Sequence, residues 1–204
     1  MTSSDSRRPW TLLLMAAAFL VMVTLGIRQS FGLFLLPVTE ALGTGREVFS
    51  LALALQNLLW GIASPFAGAL ADKFGAGRVA AIGTLFYAGG LVVMASFVSP
   101  SGLMMGQLMI GIGLGSAGVS IALGAVARAV APEKRSLALG MVTSIGSFGQ
   151  FAVLPVTQIF IDGYGWQVSL LLLSGLSASM LASCLLMARD EKVREVRTAD
   201  IANI

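Results

Sequence analysis

The chain has no histidine, one cysteine and few charges: only 11% of its 204 residues are Asp, Glu, Lys or Arg. Without histidine it lacks the commonest metal ligand and the usual proton shuttle at neutral pH. A single cysteine cannot close an internal disulfide, and Cys184 lies in an apolar stretch where it reads as packing. Soluble domains usually carry about 25% charged residues, so a soluble fold is excluded on charge alone. No G-x-S-x-G motif occurs, and an intramembrane serine–histidine protease is ruled out by the missing histidine. The paired Asn-Pro-Ala loops of water channels are also missing. The expectation is therefore a protein that is not an enzyme, with no metal, no cofactor and no nucleic-acid partner.

What is present is apolar. Hydrophobic residues make up 56% of the chain, mean hydropathy is +0.88, and runs of 18 or more apolar residues recur, as membrane-spanning helices require. The runs predict an all-α membrane protein with six transmembrane helices: Trp10–Leu36, Val48–Ala71, Val79–Val98, Leu103–Ala127, Leu137–Ile161 and Trp166–Ala188. At 1.5 Å rise per residue each can cross a hydrocarbon core about 30 Å thick. Backbone polar groups in lipid must be satisfied within the segment, which favours helices, and the short alternating segments of a barrel are missing. Residues 1–9 read as a cytoplasmic N-terminus, 10–188 as the membrane domain and 189–204 as a polar cytoplasmic tail.

Basic residues orient the bundle. Arg7 and Arg8, then Lys73 and Arg78, then Arg128, Lys134 and Arg135, then Arg189, Lys192, Arg194 and Arg197 place 11 of the 13 on one side. Both termini are expected in the cytoplasm. The arginine pair before the first run loosely matches a twin-arginine export signal, but no small-residue cleavage site closes the run.

Arg28 is the exception, a lone charge inside the first run. It stands nine residues before Pro37, roughly 13 Å inward along a helix. A charge at a helix centre costs roughly 2.5–3.5 kcal/mol on insertion scales. No Asp or Glu lies deep in any predicted span to offset it. Its planar guanidinium matches a carboxylate, which points to an anionic ligand or to a counter-charge outside this chain. Polar groups in spanning helices should face the bundle interior or a wet cavity. On that basis Asn57, Trp60, Gln107 and Gln150 join Arg28 as candidate substrate-binding residues, with Gln56 on a neighbouring face of the second helix.

The loop after the second predicted helix reads "GALADKFGAGRV". Gly68 would admit a close helix neighbour. Gly75 and Gly77 allow a tight reversal. Asp72, at the negative end of a helix dipole, calls for a basic partner or another helix's N-terminus. This spacing resembles the signature of the major facilitator superfamily, G-x-x-x-D-[RK]-x-G-x-[RK]-[RK], with Gly77 where a basic residue often stands. By that resemblance Gly68, Asp72, Lys73, Gly75 and Arg78 form a gating loop. "QLMIGIGLGSAG" resembles the family's R-x-x-x-G-x-G pattern, with Gln107 in place of the arginine, so proton coupling does not carry over. The Gly-Pro step of drug–proton antiporters is missing, since Pro155 follows Leu154. "RQSFGLFLLP" and "FSLALALQNLLWGIASPFAGALADKFG" resemble the bacterial oxalate/formate and monocarboxylate carrier branch.

The resemblance implies one half of a twelve-helix fold, built from two inverted three-helix repeats. The implied protein is a secondary transporter of the bacterial inner membrane, moving a small organic anion by alternating access. Its partners would be the lipid bilayer, the substrate, and a C-terminal half or a second copy. The alternatives are an efflux carrier of the same superfamily and a non-transporting six-helix module.

Overall fold

A computed structural model describes the backbone of residues 8–202 and the side chains of residues 11–189. Arg7 lies outside that range, as do the side chains of Arg8, Trp10, Lys192, Arg194 and Arg197. The elements are α1 (Arg8–Ser30), a 3-10 turn (Phe31–Phe34), α2 (Leu35–Leu42), α3 (Arg46–Phe74), α4 (Ala76–Ser96), α5 (Pro100–Ala117), α6 (Val119–Ala129) and α7 (Pro132–Ala202).

Local chemistry explains the ends. Pro37 sits in the first turn of α2, where a missing N–H breaks no helical bond. Helix therefore continues past the predicted end at Leu36 to Leu42, where Gly43 takes a left-handed conformation (φ 60°) and closes it. Ser99 caps α5 by accepting the Gly102 N–H at 3.0 Å, with Pro100 opening the helix. Gly75 joins α3 to α4 in a single residue at φ 95°, a region that glycine enters without a Cβ penalty.

The six predicted helices are not six separate elements. Five helices among the described residues are long and apolar enough to cross a membrane, and the last runs from Pro132 through Arg189. The segment "DGYG", expected as a loop between the fifth and sixth helices, is helical except at Gly165 (φ 82°, ψ 166°). Val153 meets Gly26, and Met180 meets Thr24, so two distant parts of α7 touch one turn of α1. The residues between them run out and back, with the kink at Gly165. The fourth predicted helix is in turn two pieces, α5 and α6, interrupted at Gly118 (φ −88°, ψ −166°).

Packing rests on glycine. α4 lies between α5 and the second arm of α7, while α1 packs on α7 and α3 on α5. A Cβ on Gly90 would stand 2.6 Å from the Gly106 carbonyl oxygen, and one on Gly113 2.8 Å from that of Gly83. On its other flank, α5 turns Gly111 to the Gln56 backbone and Gly115 to Ala63. Small residues let helices approach closely where lipid offers no hydrophobic drive for association. Gly77 is buried directly against the Ala188 backbone, which accounts for glycine at the family's usual basic position. Buried hydroxyls bond to helix carbonyls: Tyr87 donates to Thr24 O at 3.3 Å and Ser174 to Ala88 O at 3.0 Å.

Two glycines of α7 separate packing from permissiveness. A Cβ on Gly149 would overlap the Met22 carbonyl oxygen, whereas one on Gly140 meets nothing within 4 Å. Gly149→Val should lower thermal stability in detergent by about 1–3 kcal/mol. Gly140→Ala should hold or raise it by about 0.5–1 kcal/mol. Parallel melting curves of the two variants check the contrast.

Candidate functional site

The first helix supplies Arg28 and the third supplies its company. Asn57 and Trp60 share a face of α3 at i, i+3 spacing, and that face meets the last turn of α1. Arg28 Nη2 donates to Asn57 Oδ1 at 2.8 Å. The Asn57 amide is itself set, because Nδ2 donates to Leu53 O at 2.9 Å. The guanidinium carbon lies 4.9 Å from the centroid of the Trp60 ring, in cation–π contact. Arg28 Nε is buried and makes no hydrogen bond. Asn57 is exposed, and Arg28 and Trp60 are half-buried.

The break between α5 and α6 adjoins this clasp. Thr24, one turn before Arg28, directs its hydroxyl to Ala117 O at 3.4 Å. The Trp60 indole nitrogen lies 3.8 Å from where a Cβ on Gly118 would stand. The sequence pattern did not locate this break, because Gly118 belongs to a glycine series that serves packing elsewhere.

Chemically, the clasp is a cation held by neutral groups. Among the described residues no carboxylate is in ion-pair contact with Arg28; the recorded salt bridge is Arg128–Asp72. Asn57 and the indole face orient the guanidinium without neutralising it. Such a group keeps its attraction for an anion.

The other predicted binding residues stand apart. Gln107, expected to line a cavity, is fully buried between helices, and neither of its amide atoms has a partner. Gln150 is half-buried on the first arm of α7. Exposed Thr143, Ser144 and Ser147 lie on the same arm, and the Thr143 hydroxyl bonds its own helix at Leu139 O, 2.9 Å. An open cavity of about 610 Å³ does not have Arg28 in its lining; it lies between the 3-10 turn, α2 and α7, starts at Gly32, one turn beyond Arg28, and has Glu40, Arg46, Gln158 and Asp162 on its walls. Sequence reasoning passed over these four because they fall at helix ends, where charge is ordinary.

In the expected gating loop, Asp72 finds a basic partner: Arg128 Nη1 lies 2.9 Å from Asp72 Oδ1, tying the end of α3 to the end of α6. Lys73 Nζ lies 5.2 Å from the centroid of the Phe74 ring. Arg78 is exposed. A Cβ at Gly68 would meet nothing within 4 Å among the described residues.

Comparison with known proteins places the chain. The family model for the Major Facilitator Superfamily matches residues 9–201. The chain belongs to this superfamily, whose members are multi-pass membrane transporters and not enzymes. It is 31% identical to mouse monocarboxylate transporter 11 over 176 residues, 82% of this chain and 38% of that protein. It is 25% identical to the MFS-type transporter YcxA of Bacillus subtilis (strain 168) over 182 residues, 87% of this chain and 43% of the other. It is 33% identical over 105 residues to NiaP of the same organism, whose name provisionally assigns it niacin/nicotinamide transport; that match covers 52% of this chain and 26% of NiaP. The chain spans less than half the length of these relatives.

The Asp72–Arg128 pair is solvent-exposed on both sides, at 69% and 51% of side-chain area, so its stability contribution should be small. A double-mutant cycle with Asp72→Asn and Arg128→Gln should give a coupling below about 1 kcal/mol that fades between low and high salt. A larger, salt-insensitive coupling would mean that the pair is shielded.

Proposed function

We propose that this chain is one half of a secondary carrier for a small organic anion, with Arg28 as the group that binds the carboxylate. The observation that carries the reading is the clasp itself: a guanidinium within a membrane-spanning helix, oriented by Asn57 and Trp60, with no carboxylate against it among the described residues. Burying a charge in that way is costly unless a counter-charge arrives. A bound anion provides it, and the similarity to monocarboxylate transporters supports this choice of substrate.

On this reading α7 crosses the membrane twice, once on each side of Gly165, which makes six crossings in two inverted three-helix repeats. The polar side of the first arm of α7, with Gln150, and the Arg28 side of α1 and α3 face a shared aqueous path. A second six-helix half, or a second copy, supplies the opposite wall. The Asp72–Arg128 contact, with Gly68, Lys73, Gly75 and Arg78, belongs to the gate at the other end of the bundle. The orientation with both ends cytoplasmic rests on the distribution of basic residues, and placement in a bacterial inner membrane on the resemblance to bacterial carriers.

The test is binding of small carboxylates to the purified chain, read by equilibrium dialysis and by tryptophan emission in a Trp10→Phe, Trp166→Phe background that leaves Trp60. Arg28→Ala should weaken binding at least tenfold. Arg28→Lys should retain only part of it, because an ammonium lacks the planar fork. Equal affinity in Arg28→Ala would remove the proposed role, and selective binding of apolar cations would favour an efflux carrier.

A further inference from the structure

Gln56 and Gln107 are 1% and 0% exposed, and three of their side-chain atoms have no hydrogen-bond partner: Gln56 Oε1, Gln107 Oε1 and Gln107 Nε2. An unpaired buried amide is unfavourable, and more so where no water is at hand. Most buried polar atoms are paired, so three orphans along one seam call for a ligand.

They share one helix seam, about one turn apart. Gly111 closes α5 onto the Gln56 backbone, with a would-be Cβ 2.7 Å from the Gln56 carbonyl oxygen. Gln107 stands one turn earlier on that same face of α5. Gln56 lies opposite Gly111 and Ala63 opposite Gly115, so α3 and α5 run parallel. Helical side chains lean toward their N-termini, so both amides lean the same way along the α3–α5 seam, with Gln107 about one turn, ~6 Å, ahead of Gln56. Gln56 directly precedes Asn57, the residue that holds Arg28, so the seam adjoins the clasp.

The atoms define the ligand's chemistry. Gln107 leaves both amide ends unpaired, so the seam offers a donor and acceptors whichever way that amide is turned. A metal cation would satisfy only the oxygens, with no carboxylate beside them and Arg28 close by. A second anion would satisfy only the donor. A neutral group that both donates and accepts, such as a hydroxyl, satisfies both.

Resting on the Arg28 reading above, we infer that Gln56 and Gln107 form a second subsite for the transported acid. It selects carboxylates that also carry a hydroxyl-type group. The conformation described is closed over these atoms, so the ligand enters by movement of α3 on α5. α3 is the least buried of the membrane-length helices, and glycines keep the seam free of interlocked side chains. An acid without the hydroxyl leaves the amides unpaired, and that difference is the source of discrimination.

The experiment measures dissociation constants of the purified chain for glycolate against acetate and for 4-hydroxybutyrate against butyrate. The parent should favour the hydroxylated member of at least one pair by about tenfold. Gln107→Leu and, separately, Gln56→Leu should bring that ratio toward one, and circular dichroism and melting curves confirm that each variant is folded. Arg28→Ala should weaken both members of a pair together. Parent binding with no preference, or a ratio that survives both leucine variants, overturns the subsite and leaves water as the occupant of the seam. Undiminished binding in Arg28→Ala sinks the Arg28 reading while the ratio still judges the seam. Failure of all four acids to bind overturns both.

Discussion

The structure depends on helices touching backbone to backbone at glycine. Water is not available inside a bilayer to drive apolar side chains together, so association rests on van der Waals packing and a few interhelical hydrogen bonds. α5 meets that requirement on two sides at once. Gly106 and Gly113 take α4, and Gly111 and Gly115 take α3. α1 and α7 use the same device at Gly26 and Gly149. Because these contacts leave no room for a Cβ, they set the registry of the helices in the conformation described. That registry brings Arg28 of α1 to Asn57 and Trp60 of α3, although those two helices share little packing of their own.

Glycine also works here in the opposite sense. At Gly118 the helical path is interrupted beside Trp60, at Gly165 the chain doubles back, and at Gly75 one residue links two helices. Gly68 and Gly140 have open space where a Cβ would go. The same residue type thus marks tight contacts, breaks and vacant faces. Only the position of neighbouring backbone tells these roles apart, and a single sequence carries no record of that. The six-helix reading differed from the observed elements at Gly118 and Gly165 for this reason.

Polar chemistry is divided along the bundle. Exposed charges gather at the helix ends, with Asp72 and Arg128 joining α3 to α6. Most hydroxyls inside the bundle bond to helix carbonyls, as those of Tyr87 and Ser174 do, and are thereby neutralised as sites; the Ser177 hydroxyl is an exception. Among the described residues, the buried side-chain atoms without a partner include Thr44 Oγ1 and Ser177 Oγ, but most border α3: Arg28 Nε on one face and the Gln56 and Gln107 amide atoms on the next. The span that packs least against its own chain therefore borders Arg28 and Gln107 and carries Gln56, as a movable wall of a binding path would.

The sequence by itself determined that the chain is helical and membrane-spanning, because hydrocarbon thickness and the need to satisfy the backbone leave few other solutions for such long apolar runs. It also singled out Arg28 as a charge in need of a partner, and put Asn57 and Trp60 on one helix face by spacing alone. Tertiary structure decided which groups meet. That Arg128 pairs with Asp72, 56 residues away, depends on how α6 is hung from Gly118, which no local pattern encodes. Gln107 has the same composition-level signal as Asn57 yet is buried in a seam rather than set beside Arg28. The physical reason is common to both cases: periodicity fixes the face of a helix on which a side chain lies, but only packing against a second helix fixes what that face meets.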